Sequence, residues 1–169
     1  MAGRIQKIVP NLWFDTNAEE AARFYVSVFP NSALGKIAYY GKAGFEIHGM
    51  AEGTAMTVAF TLDGQDFLAL NGGPVFTFSE AISFIINCDT QEEADYFWDT
   101  LSQGGDPDAQ ACGWLKDRFG VSWQVIPKEF SALMSDPDPI KSERMMTAML
   151  KMKKLDIGLL RKAHDGPDA

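Results

Sequence analysis

Asn17-Ala18-Glu19-Glu20-Ala21-Ala22-Arg23-Phe24-Tyr25 and Thr90-Gln91-Glu92-Glu93-Ala94-Asp95-Tyr96-Phe97-Trp98 spell one pattern twice, 73 positions apart. Each stretch opens on a side chain able to accept from the orphan N–H groups of a first helical turn, Asn17 or Thr90. Two glutamates follow, where the helix dipole favours negative charge. Apolar residues then recur at helical spacing: Ala21, Phe24, Tyr25 and Val28 in one copy, Ala94, Phe97, Trp98 and Leu101 in the other. The pattern predicts two amphipathic helices belonging to a duplicated unit.

Working outward, each helix follows a short apolar strand, at residues 8–14 and 82–88, with the same offset of 73. Downstream, residues 57–71 read as a strand, an Asp63-Gly64 turn and a strand. Residues 112–126 repeat that hairpin at an offset of 55, with Asp117-Arg118-Phe119-Gly120 as a longer turn. Weaker strands are expected at residues 33–40 and near 108–111. The order is strand, helix, three strands, twice over, which is an α+β fold of tandem βαβββ repeats. Asn71-Gly72-Gly73-Pro74 marks the seam. The expected organisation is a single domain over residues 1–169, with a first repeat at 1–73, a second at 74–127 and a C-terminal helical extension at 128–169.

Within the extension, residues 128–134 read as a short helix, Asp136-Pro137-Asp138-Pro139 as a linker and residues 142–153 as a Met-rich helix. Met145, Met146, Met149, Leu150 and Met152 cover most of its circumference, so it is expected to bury against the domain or against a second subunit. A last helix is expected from about Asp156, a candidate cap, to Ala163.

Lys and Arg number 15 against 23 Asp and Glu, a net charge of −8. That balance repels phosphate backbones and anionic lipid, so neither nucleic acid nor a membrane is an expected partner. No apolar run approaches the roughly 18 residues of a spanning helix. The N-terminal residues lack the apolar block of a signal peptide, and only two cysteines occur, Cys88 and Cys112. The expected compartment is the cytoplasm.

Leu12-Trp13-Phe14-Asp15, the run from Phe24 to Ser32, Leu70-Asn71-Gly72-Gly73-Pro74 and, above all, the block from Cys112 to Gln124 resemble one family. It is a glyoxalase/bleomycin-resistance-like branch of the vicinal-oxygen-chelate superfamily, whose members are widely labelled 3-demethylubiquinone-9 3-methyltransferase. The segment from Glu143 through Lys154 resembles the family's C-terminal part. The resemblance implies a cup-shaped mixed sheet in each repeat and a homodimer. It also implies divalent-metal chemistry at ligands from the first and last strands of each repeat. Aligning Phe24-Tyr25 with the matching pair of metal-binding relatives puts the first-strand ligand position at Pro10, and the offset of 73 carries it to Ser83. The turn ending at Gly120 puts the last-strand position at Gln124, and the offset of 55 returns Ala69. None of Pro10, Ala69, Ser83 and Gln124 is His, Glu, Asp or Cys, so no metal is expected there. His48, in a predicted hairpin region at 44–53, and His164, in the tail, read as solvated side chains.

The methyltransferase label implies S-adenosylmethionine, which the common doubly wound class holds at a glycine-rich turn after the first strand. Asp15-Thr16-Asn17-Ala18-Glu19-Glu20 contains no glycine there. No cofactor is expected.

Strand alternation places Ser122 and Ile126 with Gln124, Phe67 and Asn71 with Ala69, Ile85 and Asn87 with Ser83, and Leu12 and Phe14 with Pro10. The candidate ligand-binding lining is Phe14, Phe67, Asn71, Ser83, Asn87, Cys112, Trp114, Lys116, Ser122 and Gln124. A mainly apolar wall with a few amides and hydroxyls suits an unknown small molecule; a filled core with satisfied polar groups suits it equally. Cys112 reads first as a buried thiol and second as a thiolate beside Lys116. Trp114, Lys116 and Arg118 on one strand face offer a basic pair to an anionic substrate, with Asp117 and Glu129 as their partners or as turn caps. No nucleophile–base–orienter set emerges, and no catalytic residue is assigned. The leading expectation is a metal-free small-molecule-binding homodimer. The alternatives are an enzyme (the labelled methyltransferase, or a lyase- or dioxygenase-like activity using a displaced metal) and a protein-interaction module.

Overall fold

An Asp-Gly pair and a Cys-Gly pair turn the hairpins that organise this protein. In the computed structural model, which describes residues 5–166, Asp63 and Gly64 have φ of 45° and 75°, and Cys112 and Gly113 have φ of 52° and 86°. Positive φ at both central residues is the type I′ geometry, whose twist matches that of the strands it joins. The second pair carries no familiar hairpin signal, and this is why residues 112–113, expected to begin a strand, form a turn instead.

The elements run β1 (Asn11–Phe14), α1 (Ala18–Val28), β2 (Ala33–Tyr39), α2 (Phe45–His48), β3 (Ala55–Leu62) and β4 (Gln65–Asn71). They continue as β5 (Phe84–Cys88), α3 (Gln91–Leu101), β6 (Asp106–Ala111), β7 (Trp114–Lys116) and β8 (Ser122–Pro127). Last come α4 (Phe130–Met134), α5 (Pro139–Met149) and α6 (Ile157–Asp165). The strands form two four-stranded sheets, ordered β1-β4-β3-β2 and β5-β8-β7-β6. The β1–β4 and β5–β8 pairs are parallel and the others antiparallel. The fold is α+β, two tandem βαβββ repeats with mixed sheets. The chain divides into two compact units, one ending at Phe78 and one starting at Ser79. One local expectation is corrected: the region between β2 and β3 holds the single turn of α2, bracketed by Gly44 and Gly49 in left-handed conformations.

Each repeat buries its helix against one face of its sheet. Ala18, Ala21, Ala22, Tyr25 and Val28 of α1 are buried, and the small alanines let the helix approach the sheet closely. The Tyr25 ring stacks on Phe60 with centroids 6.4 Å apart, and Phe60 stacks on its cross-strand neighbour Phe67 at 5.4 Å. In the second repeat Ala94, Phe97, Trp98 and Leu101 of α3 are buried on the same side as Leu115, Trp123 and Val125.

The two helices are capped differently. Thr90 Oγ1 accepts from Glu93 N at 3.2 Å while the Glu93 carboxylate reaches back to Asp89 N, a capping box in all but its last register. Asn17 makes no side-chain cap. Instead Asn71, at the end of β4, accepts from Ala18 N at 2.8 Å.

The extension packs on its own repeat. Asp138 accepts from Ile140 N and Pro139 occupies the first turn, so α5 starts inside the stretch expected as a linker. Met145, Leu155 and Leu160 form a buried cluster, flanked by Ile126 of β8 and by Phe130, Leu133 and Met149. The carbonyls of Met152 and Lys153 accept from Cys112 N and Gly113 N, both at 2.8 Å, and Gln91 of α3 clasps Leu155 O and Ile157 N. Asp156 caps α6 by accepting from Leu159 N.

Candidate functional site

The face of the second sheet opposite α3 carries the polar residues that the sequence pairs off. The parallel register sets Ile85 beside Gln124, and the antiparallel register sets Trp114 beside Gln124 and Lys116 beside Ser122. Strand alternation therefore brings Ser83, Ile85, Asn87, Trp114, Lys116, Ser122 and Gln124 onto one face, as expected. Gln124 Nε2 donates to Ser83 Oγ at 2.9 Å, so the two fall together as predicted and are satisfied by each other. Ile85 is 57% exposed, a large apolar side chain that the protein leaves uncovered.

Lys116 retains 23% of its side-chain exposure and forms an ion pair with Glu80, which stands in the irregular stretch leading into β5. The ammonium holds the Glu80 carboxyl below the usual carboxylate range, chiefly by hydrogen bonding. Ser122, across the strand pair from Lys116, is 3% exposed, and its hydroxyl has no hydrogen-bond partner. A sealed, unpaired hydroxyl costs about 1–3 kcal/mol, so its retention calls for a physical reason.

Asp117 is built into the turn that follows β7. It is 2% exposed; Oδ1 accepts from Phe119 N at 2.8 Å and Val121 N at 3.0 Å, and Oδ2 accepts from Trp123 Nε1 at 2.8 Å. This carboxylate builds the turn that delivers Ser122 and Gln124 to their face. Arg118 lies over the Phe119 ring, 4.8 Å from its centroid, and Glu129 pairs with Arg161 of α6.

In the first repeat the faces are the reverse of those expected. Leu12, Phe14, Phe67, Ala69 and Asn71 are all buried, on the same side as Val58 and Phe60, against α1. Phe14, Phe67 and Asn71 therefore do not line the open face; Trp13, Leu68 and Leu70 do. The cause is one residue. Asp15, Thr16 and Asn17 separate β1 from α1, whereas Asp89 and Thr90 alone separate β5 from α3. Phe14 thus corresponds to Cys88, an offset of 74, and Asn71 to Pro127, an offset of 56. A slip of one residue exchanges the faces of a strand. The structural equivalents of Ser83 and Gln124 become Val9 and Leu68 in place of Pro10 and Ala69. Neither has a donor, so these four positions do not suit a divalent ion. Among the described residues, no three His, Cys, Asp or Glu side chains are grouped to hold a metal elsewhere.

Cys112 sits in the turn between β6 and β7, where its backbone N–H donates to the Met152 carbonyl. Cys88 is buried under α3, and burial pushes its thiol up to about 12. In native protein at pH 8, a thiol-reactive disulfide is expected to label Cys112 but not Cys88 until unfolding. A native Cys112→Ser variant should show no fast reaction; a labelled one would place Cys88 within reach. Because the folded chain keeps a thiol proton that the unfolded chain releases, Cys88 contributes stability below about pH 8.5 that is lost as pH rises toward 12.

The histidines are engaged rather than solvated. His48 Nδ1 accepts from Met50 N at 2.9 Å, and its ring packs 4.5 Å from that of Tyr40. His164 is buried between Asp136, 3.1 Å from Nε2, and Asp165, 3.0 Å from Nδ1.

A family model described as 3-demethylubiquinone-9 3-methyltransferase matches residues 6–126. Among solved structures, the chain is similar to one titled a putative 3-demethylubiquinone-9 3-methyltransferase, PhnB protein, from Bacillus cereus. Identity is 36% over 72% of this chain and 99% of that one, with a TM-score of 0.62. It also shares its fold with protein PA1353 from Pseudomonas aeruginosa, at 23% identity and a TM-score of 0.55, covering 73% of this chain and 98% of that one. No curated protein matches.

Proposed function

The chain belongs to the 3-demethylubiquinone-9 3-methyltransferase family, a glyoxalase-like branch, and on that premise we propose that it is a small-molecule-binding protein that uses no divalent metal at the superfamily's usual positions. The observation that carries this reading is the open face of the second sheet, where the Gln124–Ser83 pair, Lys116 and the orphan Ser122 hydroxyl stand among Trp114 and the uncovered Ile85. Convergent polar groups on an apolar wall are the usual form of a binding site. Methyl transfer finds no support in the chain's own residues. The link after β1 has no glycine, and the first N–H of α1 is already taken by Asn71.

We further propose that it works as a cytoplasmic homodimer. Ile8, Val9, Val75 and Phe76 of the first compact unit are exposed large apolar residues of the kind a second copy covers. The two free cysteines suit a reducing compartment. In the described residues no helix is long and apolar enough to cross a membrane.

The test is a thermal-shift screen of small metabolites, with product analysis of each hit. A binding protein shows ligand-dependent stabilisation without turnover, about 2.7 kcal/mol at a hundredfold excess over Kd. Gln124→Ala is expected to weaken the hit's binding about tenfold while the unliganded melting temperature stays nearly constant. Turnover lost in Gln124→Ala would make the protein an enzyme instead. A native mass spectrum showing one stoichiometric divalent ion per subunit would overturn the metal-free reading.

A further inference from the structure

Lys116 brings a positive charge to the open face of a chain whose net charge is −8, and the protein answers it from within. Its partner, Glu80, is neither in a helix nor in a strand, and its side chain is 61% exposed. An ion pair so exposed on one side contributes little to stability, so Glu80 is readily exchanged. Beside Lys116, on the next strand, the Ser122 hydroxyl is buried with nothing to donate to. An ammonium and a hydroxyl on adjacent strands present two donors to one anion, and Trp114 and Ile85 offer apolar surface next to them.

We propose that Glu80 is an internal stand-in for the ligand: the site takes a small organic carboxylate, which displaces Glu80 from Lys116 and accepts the Ser122 O–H, while its apolar body lies against Trp114 and Ile85. Two donors match the two oxygens of a carboxylate, whereas a phosphoryl group is normally held by more donors than this face supplies. The neighbouring apolar surface selects an organic acid over a bare inorganic anion. Glu80 thus acts as a competitor tethered to the same unit, and it lowers the apparent affinity by the fraction of time it occupies Lys116. This inference rests on the reading of the second-repeat face as a binding site.

The experiment follows the Trp114 indole N–H signal by NMR, assigned with Trp114→Phe, during titration with benzoate and with its neutral analogue benzamide. Benzoate is expected to shift the signal and to bind about tenfold more tightly than benzamide, as a charge-assisted hydrogen bond allows. Glu80→Gln is expected to tighten benzoate binding about threefold to fivefold, the range open to an exposed ion pair, and to leave benzamide unchanged. Lys116→Met should weaken benzoate at least about tenfold, while Lys116→Arg, which keeps the charge, should retain it within about threefold. Equal binding of benzoate and benzamide, or no tightening in Glu80→Gln, overturns the carboxylate assignment while leaving the binding face in place. If neither compound moves the Trp114 signal, the binding-face reading falls with it.

Discussion

Asp117→Ala is expected to cost about 3 kcal/mol and to lower the melting temperature by about 6–12 °C. The substitution strands Phe119 N, Val121 N and Trp123 Nε1, three donors that the buried carboxylate satisfies at 2.8–3.0 Å. Water does not readily replace the carboxylate, because Val121 and Trp123 are themselves buried. Asp117→Asn should lose about 2 kcal/mol, since an amide turns its N–H groups toward donors that need an acceptor. Trp123→Phe removes only one of the three bonds and should cost about 1 kcal/mol. Urea unfolding of the three variants checks the order. A loss below about 0.5 kcal/mol in Asp117→Ala would show that the turn relaxes to give these groups other partners. The expected functional consequence is local: the turn sets the register of β7 against β8, and hence the position of Lys116 beside Ser122.

In the first repeat the equivalent weight falls on Asn71, with an expected loss of about 2–3 kcal/mol in Asn71→Leu. Its Oδ1 accepts from Ala18 N at 2.8 Å, its Nδ2 donates to Ala55 O at 2.9 Å, and its carbonyl accepts from Tyr40 O–H at 2.6 Å. One residue, 2% exposed, ties the start of α1 to β3, β4 and the end of β2. Asn71→Asp separates this role from ordinary capping. At a solvent-exposed cap Asp and Asn are nearly interchangeable. Here a carboxylate would face the Ala55 carbonyl acceptor to acceptor, so Asn71→Asp is expected to be about as damaging as Asn71→Leu at neutral pH. An aspartate variant as stable as the parent would mean that the Ala55 contact contributes nothing. Calorimetric melting of the two variants beside Tyr40→Phe makes the comparison.

Both residues lie inside segments that the sequence marks clearly, yet neither role is visible there. Asp117 reads as a turn residue in a charged block, and its acceptance from Trp123 depends on β8 folding back beneath it. Asn71 reads as the first residue of a Gly-Gly-Pro seam. Its side chain meets Ala18, 53 positions earlier, only because β1 and β4 are parallel neighbours. Asn17 looked the better cap on local grounds, but at φ −110° and ψ 24° its side chain makes no such bond.

That Trp114 shares a face with Lys116, and Ser122 with Gln124, was legible because period-two alternation along one strand needs no tertiary information. Cys112 was misplaced because a Cys-Gly type I′ turn depends on a non-glycine residue in a left-handed conformation, which the paired strands and the docked 152–153 segment enforce. The ion pair of Lys116 with Glu80 joins residues 36 positions apart and follows no local rule.

Repetition and patterning by themselves determined two βαβββ units, their helices and the Asp63-Gly64 hairpin. Those properties follow from residue type and spacing along the chain, which folding does not alter. Which face each strand of the first repeat turns to its helix was decided only in three dimensions. The duplicated helices keep an offset of 73, but a single extra residue before α1 shifts the strands to 74 and 56, and alternation converts that shift into inversion. Burial settles the matter physically. Phe14, Phe67 and Ala69 gain more by packing beneath α1 than a strict copy of the second repeat would have allowed, so the sheet takes the register that hides them.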